Sequence, residues 1–317
     1  MRAIAIYEAG GPEKLILEER PVPKVKPGWS LVRVKGFGIN HSEIFTRKGL
    51  SPSVSFPRIL GIECVGILEQ STDPERLPEG EKVVSIMGEM GRAFDGGYAE
   101  YVLLPNTQIY PVSTSLPWEE LAAVPETYYT AYGAFLNLKI RGDSSVLVRG
   151  ASSGVGIAFL KLLKGKYPDA FAAGSSRNQG KAGDLLRLGF DEILTDSDGR
   201  LDGDSKYDRI LELIGPKTIR DSLSHLREDG IICSAGQLGN QWYLEDFDPI
   251  MELRNNVYLT TFYSGNVSAE KMNGMFSFIE SNHIDVKPAK VFTLEQVPNA
   301  HRWLEESHGY GKCVVLI

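Results

Sequence analysis

VLVRGASSGVGIAFLKLLK, residues 146–164, passes from an apolar, β-branched run through a turn of small residues into a pattern of helical period. Val155, Ala158, Phe159, Leu162 and Leu163 fall on one stripe, so the second half reads as a helix resting on a sheet. A glycine trio alone is a weak signal. In the order strand, turn, helix, it brings the amides of a helix start to face a pyrophosphate, while small residues let the phosphate approach and the helix pack on the strand. Gly150, Ser152, Ser153, Gly154, Val155 and Gly156 are therefore the candidate phosphate-binding residues.

About 20 residues past such a turn, a fold that prefers NAD presents an Asp or Glu to the ribose diol. The corresponding stretch here, AAGSSRNQGK (172–181), contains none. Ser175, Ser176, Arg177 and Lys181 instead offer hydroxyls and two cations where a 2′-phosphate would lie, which favours NADPH. A solvated loop with incidental charge is the alternative reading.

Outward from this turn, strand-like SSVLVRG (144–150), AFAAGSS (170–176), RILELIG (209–215) and GIICSAG (230–236) alternate with helix-like stretches. That is the grammar of a parallel sheet wrapped by helices, and four strands are an incomplete set. Gly215 and Gly236 follow two of these strands, as turn requirements or as points of close approach to the dinucleotide. Residues 1–111 are patterned differently. Here RAIAIY, LVRVKGFGI, CVGILEQ, KVVSIMG and YAEYVLL, separated by glycine, proline and charge, suggest a small antiparallel barrel or sandwich. After about residue 265 the pattern resembles that of the first part again. The expected organisation is α/β: a β domain over 1–115, a dinucleotide-binding domain over 116–265, and a return to the first domain over 266–317.

Bulk properties narrow the function classes. Lys and Arg number 34 against 41 Asp and Glu, a formal charge of −7, with no basic block, which argues against nucleic acid as a partner. No stretch has signal-peptide or membrane-spanning character, so a cytoplasmic, membrane-free protein is expected. Cys64, Cys233 and Cys313 are an odd, scattered set without a CxxC pair and read as free thiols. His41, Glu43, Glu63 and Cys64 lie in GINHSEIF (38–45) and GIEC (61–64), but neighbours on a strand point to opposite faces and do not converge on one ion. No metal is expected.

GINHSEIFTRKG (38–49), FPRILGIECVGIL (56–68), PEGEKVV (78–84), GGYAEYVLLP (96–105), LAAVPETYYTAYGAF (121–135), the glycine turn, GSSRNQGKAG (174–183) and GKCVVLI (311–317) occur in an order that is specific although each is loose alone. On these motifs the chain resembles, over nearly its full length, the zinc-independent, zeta-crystallin-like quinone oxidoreductases of the medium-chain dehydrogenase/reductase superfamily. The resemblance implies a GroES-like β-barrel catalytic domain with an inserted Rossmann domain, and a homodimer. Zinc-bearing relatives carry a cysteine where Asn40 stands and a histidine where Ile62 stands, and SIMGEMGRAFDGGYAEYV (85–102) lacks the cysteines of their structural zinc lobe. By the same resemblance Asn40 offers an amide to a substrate carbonyl, Thr130 lies near the nicotinamide, and Ser42 aligns with a proton-relay hydroxyl, although capping the following helix is its simpler role. Thr130 has a simpler reading too, a helix hydroxyl satisfied by a backbone carbonyl. Phe45 and Ser51 replace the family's quinone-pocket tyrosines, and Lys312 reads as a surface lysine. The implied activity is hydride transfer from NADPH to a small-molecule quinone, enone or other activated carbonyl. The alternatives are an enoyl-thioester reductase on the same scaffold and an NADPH-binding sensor or structural protein with little catalysis.

Overall fold

In a computed structural model, which describes residues 1–306 and 309–317, the chain forms two compact units. One comprises Met1–Tyr129, Ser264–Phe276 and Val286–Ile317; the other comprises Thr130–Tyr263 and Ser277–Asp285.

The first unit is organised by the long strand Trp29–Gly38, whose even-numbered residues from Ser30 to Val34 are all buried. It pairs antiparallel with Glu63–Gln70, with Tyr101–Pro105 and, at its far end, with Cys313–Leu316. The pairing shifts register between Val34 and Gly36, where a Cβ would lie 2.9 Å from both Val315 O and a Leu316 methyl. Glycine there lets the strand bend and exchange one partner for another, as barrel corners require. The carboxy-terminal strand thus completes a sheet ordered Lys290–Thr293, Cys313–Leu316, Trp29–Gly38, Glu63–Gln70, Lys82–Ile86, Tyr110–Pro111. A three-stranded sheet around Arg2–Ile6 adds Ile4 and Ile6 to a core that includes Phe37, Leu60, Tyr98 and Val315.

In the second unit six parallel strands are ordered Glu192–Ser197, Ala172–Ser176, Val146–Arg149, Tyr207–Glu212, Leu226–Ser234, Tyr258–Thr261, with the short antiparallel Arg200–Leu201 at one edge. Numbered along the chain this is the 3-2-1-4-5-6 order of a dinucleotide-binding sheet. Glu192–Ser197 and Tyr258–Thr261 are additional to the four strands legible in the sequence. Both lie towards an edge; the first mixes buried with exposed residues and the second has no fully buried residue, so neither forms the continuous apolar run that marks a central parallel strand.

The boundaries differ from the change of patterning along the sequence. The units divide inside the helix Pro125–Asn137 rather than near 115, and Ser277–Asp285 groups with the second unit rather than the first. The reason is packing: the Phe278 ring lies 5.4 Å from those of both Tyr132 and Phe135, and Ile284 fills the space over Gly165.

Candidate functional site

The glycine turn follows the buried strand Val146–Arg149 and opens the helix Gly154–Lys166. Gly150 has φ +90°, a left-handed conformation that L side chains rarely adopt. A Cβ on Gly156 would lie 2.7 Å from Gly150 O and 2.8 Å from Ala151 O, so only glycine lets the helix sit this close to the turn. Ser153 is the helix cap: its Oγ accepts from Gly156 N at 3.1 Å and donates to Gly150 O at 2.8 Å. The first amides of a helix have no intrahelical partner. With that of Gly156 taken by the cap, those of Gly154 and Val155 are the pair positioned for an anion, and partly exposed Ser152 precedes them.

The next strand, Ala172–Ser176, carries the predicted 2′-phosphate residues to the edge of this turn. Ser175 is buried and its Oγ accepts from Gly150 N at 3.2 Å, while Ser176 Oγ closes a local turn with the backbone of Asn178. Both hydroxyls shape the loop. Of the two cations, Arg177 is exposed and makes no hydrogen bond or ion pair among the described residues, and half-buried Lys181 has its pKa lowered by burial and by the charge of Arg177. Two like charges brought together in this way complement a dianion. Gly215 has φ +92°, its amide donates to the buried Glu212 carboxylate at 3.1 Å, and a Cβ on it would lie 2.7 Å from Gly236 O. A Cβ on Gly236 would lie 2.5 Å from Leu213 O, so the turns themselves require glycine at both positions. Thr130 is buried on the helix Pro125–Asn137.

In the first unit, Asn40 caps the short helix His41–Arg47 and meets a cluster of charge. Its Nδ2 donates to Glu63 Oε1 at 2.9 Å and its Oδ1 accepts from Lys312 Nζ at 2.5 Å. Lys312 Nζ also donates to Glu63 Oε1 at 2.6 Å, and the other Glu63 oxygen accepts from Glu126 N at 2.9 Å. Lys312, expected at the surface, is only 7% exposed, because its carboxylate partner lies inside the barrel at 0%. Glu43 is buried beside them and accepts from the amides of Ile62 and Asn40, both at 3.1 Å. Burial, with Glu63 adding to it and Lys312 opposing, raises the Glu43 pKa to about 7. His41 is pushed down to about 4 by burial and by Lys312, so it is neutral at physiological pH.

Ser42 is not the helix cap: that place belongs to Asn40, and Ser42 Oγ accepts from Arg92 Nη2 at 2.6 Å. Ser51 is bonded through its Oγ to Thr46 Oγ1 at 2.9 Å, and the Phe45 ring lies 6.5 Å from that of His41. Lys312 and Arg92 are the polar residues that sequence reading missed. Each stands next to glycine in a short polar patch, and nothing in such a patch shows which charge turns inward.

A barrel-forming β unit joined in one chain to a 3-2-1-4-5-6 sheet with a glycine turn after its first strand defines the dinucleotide-dependent dehydrogenase/reductase class. The chain matches the alcohol dehydrogenase GroES-like domain over residues 26–114 and the zinc-binding dehydrogenase domain over 188–315. It is 31% identical to the putative quinone oxidoreductase YhfP of Bacillus subtilis, covering 90% of this chain and 89% of that one. It is 27% identical to quinone oxidoreductase of Rattus norvegicus over 100% and 98% of the two chains. The fold matches the YhdH oxidoreductase of Salmonella enterica, solved in complex with NADP, with a TM-score of 0.87 at 21% identity and full coverage of both chains. The chain belongs to the quinone oxidoreductase family of the medium-chain dehydrogenase/reductase superfamily.

The matched dehydrogenase family implies zinc, and the residues at its place do not fit it. The Ile62 side chain has no lone pair, Asn40 Oδ1 and Glu63 Oε1 are turned to the ammonium of Lys312, and the other Glu63 oxygen is taken by the amide of Glu126. Among the described residues no group of three His, Cys, Asp or Glu could hold a metal ion.

Proposed function

We propose that the protein is an NADPH-dependent reductase acting on an electron-poor small molecule, an α,β-unsaturated carbonyl or a quinone, without a catalytic metal. The observation that carries this reading is the glycine turn with two cations, and no carboxylate, at the end of the adjoining strand. The amides of Gly154 and Val155 hold the pyrophosphate, and Arg177 with Lys181 holds the 2′-phosphate. Bound NADPH supplies a hydride from its nicotinamide ring. Thr130 is assigned beside that ring. Asn40 is assigned a positioning role, since both ends of its amide are engaged by Glu63 and Lys312. With no ion to polarise the acceptor, substrates activated by conjugation are preferred over simple ketones. Because Ser51 is bonded to Thr46 and a phenyl ring stands at 45, enones rank ahead of quinones. By resemblance we assign the working form as a cytoplasmic homodimer; no helix among the described residues is long and apolar enough to cross a membrane.

The test is a panel of enals, enones and quinones with NADPH and NADH, with and without chelator. NADPH is expected to be consumed in preference to NADH, with chelator without effect. Since charge-assisted hydrogen bonds contribute about 1.5–3 kcal/mol each, Arg177→Ala with Lys181→Ala should reduce the preference for NADPH at least about 10-fold. Unchanged discrimination in that double variant removes the phosphate assignment. Activity lost to chelator and restored by zinc overturns the metal-free reading.

A further inference from the structure

The stretch RPVPKVKPGW, residues 20–29, plays no part in the sites described above, and three prolines within seven residues make it a stiff, extended strap. Residues 21–25 make no backbone hydrogen bond among the described residues. Pro23 and Lys26 stand three apart, the repeat of a polyproline helix, and both line one pocket of about 190 Å³ within the first unit.

The other walls are largely aromatic. On the strand Tyr101–Pro105, Tyr101 and Leu103 alternate with buried Val102 and Leu104, so their half-buried side chains stand on the face turned away from the core. The Phe94 ring meets that of Trp29 edge to face, with centroids 5.0 Å apart and planes at 82°, and all four of these residues line the pocket. The loop carrying Phe94 is pinned by the next residue: Asp95 Oδ1 accepts from Ile59 N at 3.1 Å and from Arg58 Nη1 at 3.2 Å. The fold's own hydrogen bonds thus fix the wall.

Size and charge decide what fits. A dry cavity of about 150 Å³ holds one benzene ring, so this pocket takes a single ring with a short substituent. Lys26 is exposed at its rim, with Nζ 4.0 Å from the centre of the Trp29 ring and no carboxylate partner among the described residues. Asp95, the acidic residue of the lining, is paired with Arg58. One positive charge is therefore left over, within reach of a substituent on a ring held against Trp29. A carboxylate there gains a charge-assisted hydrogen bond, whereas an amine would have to displace Lys26 from the Trp29 face against like charge.

We propose that this pocket is a binding site for a small aromatic monocarboxylate. It shares no residue with the glycine turn or with the Asn40 cluster, and the inference does not depend on the reductase reading.

The probe is phenylacetate, which is neither enone nor quinone, so its failure to bind would leave that reading untouched. Calorimetric titration of the full chain should give one site with Kd on the order of 0.1–1 mM, the range for a ligand of about ten non-hydrogen atoms. Phenethylamine, of the same size and opposite charge, should bind at least about 5-fold more weakly. Lys26→Met should weaken phenylacetate about 3-fold or more while leaving neutral phenylacetamide unchanged, and Lys26→Arg should keep the wild-type affinity. Leu103→Trp, which fills the pocket, should abolish binding. Phe94→Ala, which removes one wall, should weaken it at least about 5-fold and locates the ring even if Leu103→Trp does not fold. The proposal is overturned by no saturation below about 10 mM, by tighter binding of phenethylamine, by equal affinity with and without Lys26, or by undiminished binding once a wall is altered.

Discussion

Gly38 shows how far a single residue can be decided by its neighbours. A Cβ at this position would lie 2.0 Å from Lys312 Cε, 2.4 Å from Glu63 Oε1 and 2.6 Å from Lys312 Nζ. The lysine could swing away only by abandoning its buried carboxylate. Gly38→Ala should therefore cost about 1–3 kcal/mol as overpacking, and about 3–5 kcal/mol if the pair separates. Chemical denaturation checks this, and a loss below about 0.5 kcal/mol would show that the ammonium has another place to go. Glu43 gives a pH dependence of definite sign. Its folded pKa of about 7 lies above its ordinary 4.5, so the folded state binds the extra proton between those values. Stability from this group is full below about 4.5, falls as pH rises to about 7, and is flat above. Glu43→Gln should remove that slope, raising stability at pH 8 relative to the parent by up to about 3 kcal/mol while changing little at pH 4.5. His41 titrates near 4 in both proteins and cancels in the difference. A parallel pair of stability curves would contradict the assigned titration.

At the scale of elements, what was legible in the sequence is what repeats along a stretch. The turn after residues 146–149 carried strand, glycines and helical stripe in one reading, whereas the structure adds that Ser153, read there as a phosphate-binding residue, caps the helix. The edge strands did not show, because half-exposed strands alternate weakly and are set by their neighbours' pairing. Polar partnerships were hardest. Arg149 reads as a stray charge ending an apolar strand, yet it is fully buried, donating to Asp196 at 2.9 Å, Asp221 at 2.7 Å and Ser222 at 2.8 Å. Ser222 in turn donates to Glu212, which at 2.8–3.1 Å holds the amides of Ile214 and Gly215. The network thus ties the first strand to the turn after the fourth. Arg149→Met leaves two carboxylates without their cation and should destabilise the second unit by about 3–5 kcal/mol. A near-neutral result in thermal unfolding would mean that water reaches the network.

For the whole molecule, two kinds of patterning were legible along the chain but not the place where they part, because helices that serve two cores have one continuous period. Pro125–Asn137 and Ala269–Ser281 each begin with residues of the first unit and end with residues of the second. Each unit nevertheless has its own buried core, one around Phe37, Tyr98 and Val315 and one around Leu147, Ile210 and Ile232. Chains with separate cores depart from all-or-none unfolding. Calorimetry should accordingly resolve two transitions, with Gly38→Ala lowering one and Arg149→Met lowering the other. These two sites share no partner in the hydrogen-bond network, so in the double variant the two shifts should add to within about 0.5 kcal/mol. A single transition lowered by either substitution would show instead that the shared helices weld the two cores into one cooperative unit.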